Sequence, residues 1–158
     1  MKLPEGTEWV LHCAASLAQL ADGDAASTAQ LATHFGLPPA YLAKHLASLV
    51  RAGVLTGTTG PRGGFRLARP AAEITFLDIV DAVDGGADPY LCREIRQQGR
   101  GALPAEECQE PCILATTMRR AHEAWRTSLA ACTLADIIDT LPPETPDRTR
   151  RLLSRESA

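Results

Sequence analysis

The sequence predicts a mainly α protein, in which a winged helix-turn-helix with a small β-hairpin wing precedes a long C-terminal helix. Two short helical patterns flank a glycine-containing turn at Gly36-Leu37-Pro38. A glycine-rich segment with alternating apolar and basic residues follows and predicts a hairpin. Apolar residues then recur at helical spacing from residue 113 onward. The length of 158 residues suits one domain with an attached helical arm.

Capping residues mark where the predicted helices begin and end. The first helix is expected from about Thr7 to Ala21. Ser27-Thr28-Ala29-Gln30 forms a capping box that opens the second helix. Pro39 suits the first turn of the third helix, which turns its apolar repeat inward: Leu42, Leu46 and Leu49. A fourth helix is expected to begin at the N-cap Thr75 and to end at Gly85-Gly86.

The chain is expected to divide into four segments. Residues 1–86 form the winged helix-turn-helix, and residues 87–112 form an irregular loop that is too long for an ordinary connection. Residues 113–141 form the long helix, with a restart at Thr133 and a stop at Pro142-Pro143. Residues 142–158 are polar and are expected to form a flexible, frayed tail.

Charge is segregated along the chain, although the net charge is only −3. No acidic residue occurs from Ala25 to Ala72, and five basic residues lie there: Lys44, Arg51, Arg62, Arg66 and Arg69. All 19 acidic residues lie outside this window. Such an asymmetry indicates a polyanionic partner for the basic segment. Aromatic residues make up only 4% of the chain, so nothing indicates a surface for stacking single-stranded bases.

The predicted helix-turn-helix and hairpin point to double-stranded DNA. The third helix can enter the major groove, while the wing lies along the neighbouring backbone. With the leucine repeat turned inward, the residues facing out are Tyr41, Lys44, His45, Ser48 and Arg51. Arg62 is expected at the tip of the wing and Arg66 on its returning strand, where they can neutralise phosphates. The alternative is that these cations are merely solvated and that the fold serves as a structural adaptor.

Other classes of protein are disfavoured. No stretch reaches the roughly 18 apolar residues of a membrane helix, and no signal peptide is recognisable. We therefore expect a cytoplasmic protein without a membrane partner. The sequence contains no HExxH, P-loop or GxSxG motif, so an enzyme is not expected.

Five cysteines indicate metal or redox chemistry, because structural disulfides are rare in a reducing cytosol. Cys108 and Cys112 lie four residues apart just before the long helix, where two thiolates can share one metal or one cluster iron. Cys13 and Cys132 fit packing positions. Cys92 remains open as a ligand. Zinc, or free thiols acting as an oxidation switch, is the alternative to an iron–sulfur cluster.

Three stretches carry a resemblance to a known family: YLAKHLASLVRAGVL at 41–55, GPRGGFRLARP at 60–70 and ITFLDIVDAVDG at 74–85. Over about residues 1 to 135 the chain resembles the Rrf2 superfamily of winged-helix regulators, of the IscR and NsrR type. The resemblance implies a homodimer clasped by the long helix, a DNA operator with two-fold symmetry, and often a cluster near the dimer interface. Met118, Trp125 and Leu129 would then lie in the interface, or alternatively pack within one subunit.

The resemblance also implies a ligand set. Family members usually place three cysteines close together in this loop, whereas here Cys92 lies 16 residues before Cys108. In the nitric-oxide-sensing branch an acidic residue of the first helix ligates the partner's cluster, and Glu8 matches it. His12 lies four residues further on, on the same side of the helix. The alternative is a solvated Glu8–His12 pair.

The sequence as a whole is therefore interpreted as a dimeric regulator, expected to repress, that senses redox state through a 2Fe-2S cluster. Glu8, His12, Cys108 and Cys112 are the expected ligands, as in the redox-responsive RsrR-like members of the family. Trp9 lies beside them and is either the residue that relays a redox change or an ordinary core residue.

Overall fold

The computed structural model describes residues 3–60 and 63–153. These residues form two compact units. The winged-helix unit contains residues 3–86 and 129–153, and the loop-helix unit contains residues 87–128. Helices dominate the described residues, and their two-stranded antiparallel sheet confirms the predicted fold class.

The helix-turn-helix follows a first helix that packs beneath it. The three helices are α1 (Glu5–Leu17), α2 (Thr28–Phe35) and α3 (Pro39–Arg51). The predicted capping box opens α2: the amide of Gln30 donates to the Ser27 hydroxyl at 3.2 Å, and the amide of Ser27 donates to the Gln30 side chain at 2.8 Å. The apolar repeat of α3 is fully buried, as predicted: Leu42, Leu46 and Leu49.

The wing is a hairpin of β1 (Leu55–Thr58) and β2 (Gly64–Leu67), in which Leu55 pairs with Leu67. Phe65 and Ala26 exchange two backbone hydrogen bonds of 2.8 and 3.1 Å, which tie β2 to the segment before α2. A Cβ at Gly64 would meet the backbone carbon of Ala26 at 2.7 Å. Only glycine therefore permits this approach. The predicted wing residue Arg62 lies outside the described residues.

Helix α4 (Phe76–Asp84) begins at a second capping box, formed by Thr75 and Asp78. Arg69 joins the wing to this box, because its guanidinium pairs with Asp78 at 3.1 Å and also donates to the Glu73 carbonyl. Burial raises the pKa of Asp78, but hydrogen bonds from Thr75 and Arg69 outweigh it and hold that pKa below its ordinary value.

The chain returns to the winged-helix unit after residue 128 and is held there by backbone pairing. Thr75 and Thr133 form an antiparallel bridge. The amide of Phe76 donates to the Cys132 carbonyl at 2.8 Å, and the amide of Leu134 donates to the Ile74 carbonyl at 2.9 Å. Helix α6 (Leu134–Asp139) follows directly, with Leu134 fully buried.

The segment expected to form a frayed tail is a docked helix, α7 (Glu144–Leu153). Leu153 and Thr149 are buried. The Gln30 side chain donates to the Leu153 carbonyl at 3.0 Å, and Arg150 donates to the Gln19 carbonyl at 2.9 Å. The prediction of a flexible tail is therefore wrong for residues 144–153. Contacts distant in sequence hold α7, and local polarity does not reveal them.

The loop-helix unit contains all but the last two residues of α5 (Ile113–Ala130). Before this helix lie three short 3-10 turns, at Ile95–Gln97, Gly99–Gly101 and Ala105–Glu107. No residue of α5 is buried. His122 stacks on Trp125 with ring centroids 5.8 Å apart. None of the helices in the described residues is long and apolar enough to cross a bilayer.

The core of the winged-helix unit lies where α1, α3 and α4 meet, and α6 and α7 each add a fully buried leucine. Cys13 of α1 belongs to this core, and burial raises the pKa of its thiol to about 12. Packing is thus the role that the structure gives to Cys13.

Replacing Leu153 with alanine is expected to lower the free energy of unfolding by about 2–4 kcal/mol, because the side chain is fully buried and would leave a cavity. The neighbouring Leu152 is 62% exposed, so Leu152→Ala should change it by less than about 0.5 kcal/mol. Urea unfolding followed by circular dichroism measures both changes. Equal effects of the two substitutions would show that α7 does not dock.

Candidate DNA surface and candidate metal centre

The outward face of α3 presents the predicted DNA-reading residues. Tyr41 is 61% exposed, and Lys44 and Arg51 are also exposed. Ser48 is half-buried; its hydroxyl donates to the Lys44 carbonyl at 3.4 Å and accepts from Arg51 at 2.8 Å. The guanidinium of Arg51 is therefore held along the helix surface.

His45, which was predicted to face DNA, is half-buried against α1. A Cβ at Gly6 would come within 2.4 Å of the His45 ring, so a larger residue at this point of α1 would require the ring to move. Trp9 meets the rings of His45 and Tyr41 edge-on, at centroid distances of 6.0 and 6.2 Å. The side chains of α1 and α3 thus form one aromatic cluster, which we call the α1–α3 cluster. The sequence patterns did not predict this cluster. The one related signal in the sequence is Gly6, in the first turn of α1.

The basic residues between Ala25 and Ala72 differ in whether their charges are exposed or paired. Arg66 is exposed on β2, as a phosphate contact requires. Arg69 is bound to Asp78 and Glu73, so its charge is committed to the fold. The count of basic residues in the sequence therefore overstates the cations that are free to contact DNA.

Glu8 and His12 lie one turn apart on α1, and both are exposed. They line two neighbouring cavities. The larger, which we call the α1 cavity, has a volume of about 490 Å³. The smaller, of about 240 Å³, also includes Trp9 and Phe35. The ring of His12 lies 5.7 Å from that of Phe35. The two side chains thus sit together on the accessible side of α1, as two ligands of one metal must.

Cys112 immediately precedes α5, at its amino-terminal end. The amides of Ala115 and Leu114 donate to its sulfur and lower the pKa of the thiol, and the charge of Arg96 acts in the same direction. Cys112 is buried, Cys108 is half-buried and Cys92 is exposed. The loop therefore favours a thiolate at Cys112, the form that binds metals.

Arg96 organises the loop that carries the two cysteines. It pairs with Glu94 through two contacts of 2.5 and 2.8 Å, and it donates to the Glu110 carbonyl, between Cys108 and Cys112, at 3.0 Å. Glu94 has a φ of 48°, in the region that a non-glycine residue rarely adopts. The hydrogen bonds to Glu94 raise the pKa of Arg96, and the nearby Cys108 and Cys112 act in the same direction. Nothing in the sequence pattern singled out this arginine.

The two candidate ligand pairs belong to different compact units: Glu8 and His12 to the winged-helix unit, Cys108 and Cys112 to the loop-helix unit. Among residues 3–60 and 63–153, no group of three or more His, Cys, Asp or Glu side chains is arranged to hold a metal ion. The donors themselves, two thiols, an imidazole and a carboxylate, are types that iron and zinc accept. Each unit thus supplies two of the four predicted ligands.

The family model and the relatives that this chain matches are all described as transcriptional regulators. A family model described as "Rrf2: Iron-dependent Transcriptional regulator" matches residues 3–140. The protein Rv1287 of Mycobacterium tuberculosis, named as an HTH-type transcriptional regulator, is 32% identical over 145 residues, which cover 91% of this chain and 85% of that protein. YwgB of Bacillus subtilis, named in the same way, is 29% identical over 140 residues, with 88% and 85% covered.

Solved structures share the fold. CymR of B. subtilis, described as a global cysteine regulator, superposes with a TM-score of 0.71 at 21% identity and covers 90% of this chain and 99% of its own. IscR of T. potens superposes with a TM-score of 0.68, also at 21% identity, and covers 92% and 91%. At these identities the likeness shows the fold alone.

Proposed function

Because the chain belongs to the Rrf2 family of transcriptional regulators, we propose that it is a homodimeric DNA-binding regulator that senses redox state through a 2Fe-2S cluster. Transcription regulation follows from the family, whose members bind DNA and are not enzymes. The observation that carries the cluster proposal is the pair Glu8–His12, exposed one turn apart on α1, in a chain with a pair of thiols at the start of α5.

The proposed DNA surface combines α3 with the wing. Side chains of α3 read base edges in the major groove, and Arg66, together with Arg62 of the same glycine-rich segment, neutralises phosphates. The exposure of Tyr41, Lys44 and Arg51 supports this assignment. His45 is better placed to orient α3 from behind, because it packs on Gly6. A two-fold dimer would bind an operator of matching symmetry.

The proposed dimer uses α5. A helix of 18 residues without a buried side chain leaves its apolar residues, among them Met118, to water in a single chain. Met118, Trp125 and Leu129 are the residues we assign to the interface between the two helices. Pairing the copies would bring the loop-helix unit of one to the winged-helix unit of the other.

Within that dimer, the proposed ligands are Cys108 and Cys112 of one copy with Glu8 and His12 of the other. A 2Fe-2S cluster supplies one-electron transfer when bound, and nitrogen ligands raise its potential. A histidine ligand can couple electron transfer to proton transfer. Trp9, three residues before His12, contacts Tyr41 and His45 of α3. A shift of α1 at His12 would therefore reach the DNA-reading helix through the α1–α3 cluster.

A second candidate function is a thiol switch or zinc site at Cys108 and Cys112. The lowered pKa of Cys112 favours it, because a thiolate both reacts with oxidants and binds zinc. Such a regulator would need only the loop-helix unit for sensing. The two candidates differ in their requirement for Glu8 and His12.

Replacing Arg66 with alanine is expected to weaken binding to any duplex and to reduce the slope of log affinity against log salt by about 1. The matched control is Arg119→Ala, which removes an exposed arginine of α5 that pairs with Glu123. Fluorescence anisotropy with a random-sequence duplex at several salt concentrations measures both slopes. Identical slopes for the two variants would contradict a role for the wing in phosphate contact.

Anaerobically purified protein is expected to be brown and to contain equal amounts of iron and acid-labile sulfide. Glu8→Ala, His12→Ala, Cys108→Ala and Cys112→Ala should each lower that content, whereas Cys92→Ala should keep it. Metal analysis with optical spectra measures this. A colourless protein containing zinc would support the second candidate instead. Loss of colour in Cys92→Ala with retention in His12→Ala would overturn the ligand assignment.

Reversible chemical reduction of the holoprotein is expected to change its DNA affinity by about 5-fold or more, a typical coupling between two sites. Trp9→Phe should diminish the change, because the smaller ring reaches Tyr41 and His45 less well. Tyr90→Phe, in the loop-helix unit and outside the proposed interface and ligand set, is the control and should retain it. Gel shifts in both states measure the affinities. Equal affinity of the oxidised and reduced wild type would exclude redox control.

A further inference from the structure

Cys108 and Cys112 each lie at the boundary of a local element. Cys108 closes the 3-10 turn Ala105–Glu107, because its amide donates to the Ala105 carbonyl at 3.0 Å. Cys112 precedes α5, and its carbonyl accepts from the amide of Thr116 at 2.9 Å. The residues between the two cysteines, which we call the linking segment, are Gln109, Glu110 and Pro111. The relative position of the two sulfurs therefore depends on how the linking segment is held.

A guanidinium from an earlier part of the loop holds the linking segment. Arg96 donates from Nη2 to the Glu110 carbonyl at 3.0 Å. Within residues 3–60 and 63–153, no other hydrogen bond joins residues 109–111 to another segment of the chain. Pro111 has no amide hydrogen to donate, and it restricts the preceding Glu110 to extended backbone. The contact with Arg96 is therefore the anchor of this segment.

Glu94 fixes the guanidinium of Arg96 in turn. Its carboxylate accepts from Nε at 2.5 Å and from Nη2 at 2.8 Å, a two-pronged geometry that a lysine cannot form. The backbone of Glu94 is left-handed, with a φ of 48°, and a non-glycine residue keeps such a conformation only where its surroundings require it. The amide of Leu103 donates to the Arg96 carbonyl at 2.8 Å. Both the side chain and the backbone of Arg96 are thus held in place.

The Glu94–Arg96 pair also has a net positive effect at the sulfurs. The pKa of the Cys112 thiol is lowered most by the amides of Ala115 and Leu114; among the charged groups, Arg96 lowers that pKa, and Glu94 raises it by less. Cys108 and Cys112 are both near enough to interact electrostatically with Arg96. A negatively charged group bound by the two thiolates would therefore have a cation close to it.

We propose that Arg96 is a positioning residue of the candidate metal centre: it holds the linking segment so that Cys108 and Cys112 present their sulfurs to one atom, and it places a positive charge beside that atom. The inference rests on the proposed function and names the residue that shapes the thiol half of the same site. It applies to the cluster and to the second candidate alike, because both use the two thiols. Arg96 and both cysteines belong to the loop-helix unit, so the arrangement forms within one chain.

A trivalent arsenical tests the positioning without any iron. Phenylarsine oxide exchanges its oxygen for two sulfurs and releases one water, so it binds tightly only where two thiols reach one arsenic atom. The metal-free, reduced protein is titrated in a Cys92→Ser background, which leaves Cys108 and Cys112 as the adjacent pair. Arg96→Ala is expected to weaken binding about 5-fold or more, because the probe must then order the two thiols itself. Isothermal titration calorimetry measures the affinity.

Arg96→Lys should weaken binding to a similar extent, since an ammonium cannot hold Glu94 by two contacts and reach Glu110 as well. The matched control is Arg100→Ala, which removes the same charge. Arg100 is exposed in the same loop, and its side chain has no hydrogen bond or ion pair in the described part of the chain. This control should bind the arsenical as tightly as the unaltered protein. Equal affinities of Arg96→Ala and Arg100→Ala would overturn the proposal.

The reduction potential of the iron-loaded protein separates the effect of the charge from a loss of local structure. Arg96→Ala removes a cation and should disfavour the reduced state, whereas Glu94→Gln removes an anion and should favour it. At a fixed potential, the ratio of oxidised to reduced cluster is expected to change about 3-fold or more, in opposite directions in the two variants. Arg96→Lys should stay near the unaltered protein. Shifts in the same direction would overturn the placement of the charge, because disorder of the loop acts alike in both variants.

The two measurements separate the inference from the function on which it rests. A protein that binds no iron would reject the proposed cluster, and the arsenical titration would then decide the role of Arg96 by itself. Iron content that depends on Glu8 and His12, together with an arsenical affinity that is insensitive to Arg96, would leave the ligand set standing and reject the inference.

Discussion

The close approach of Gly6 to the His45 ring is the contact on which the functional surfaces of this protein depend. It allows α1 to lie directly against α3, the proposed DNA-reading helix, because a Cβ at residue 6 would come within 2.4 Å of the imidazole and would require that ring to shift. The inner side of α1 is thereby committed to the core, through buried residues such as Val10 and Cys13. Its outer side is left to carry Glu8 and His12. One helix thus connects the proposed sensing residues to the proposed reading residues by direct packing.

A second constraint is the way in which the chain closes the winged-helix unit. The loop-helix unit is inserted between Gly86 and Leu129, and the chain then returns to pair its backbone with that of Ile74 and Phe76. These contacts lie at the beginning of α4, next to the capping box that Arg69 links to the wing. A displacement carried along α5 would therefore act on the residues that set the position of α4 and β2.

The parts of the fold that follow from the sequence are those determined by neighbouring residues. Capping at Ser27 and Thr75 depends on a partner three residues away, and the inward repeat of α3 depends only on helical spacing. The docking of α7 escaped prediction because it depends on Gln19 and Gln30, more than 100 residues away. The candidate metal centre shows the same limit. Spacing predicted the pair Cys108 and Cys112, but it did not predict that Arg96, from an earlier part of the loop, would contact the backbone between them. Arg69 shows an error in the other direction. The sequence counts it among the basic residues of the acid-free window, but its guanidinium pairs with Asp78, a contact that no local pattern predicts.

The division of the candidate ligands between two units has a physical consequence for sensing. A metal held by all four residues binds only the assembled dimer, so by mass action it stabilises the dimer over separate chains. Gain or loss of that metal would then change the stability of the dimer. A thiol switch confined to Cys108 and Cys112 has no such linkage, because both residues belong to the loop-helix unit. In the proposed regulator, coupling of the cluster to DNA would depend on Glu8 and His12, because they alone among the candidate ligands share a helix with Gly6 and Trp9.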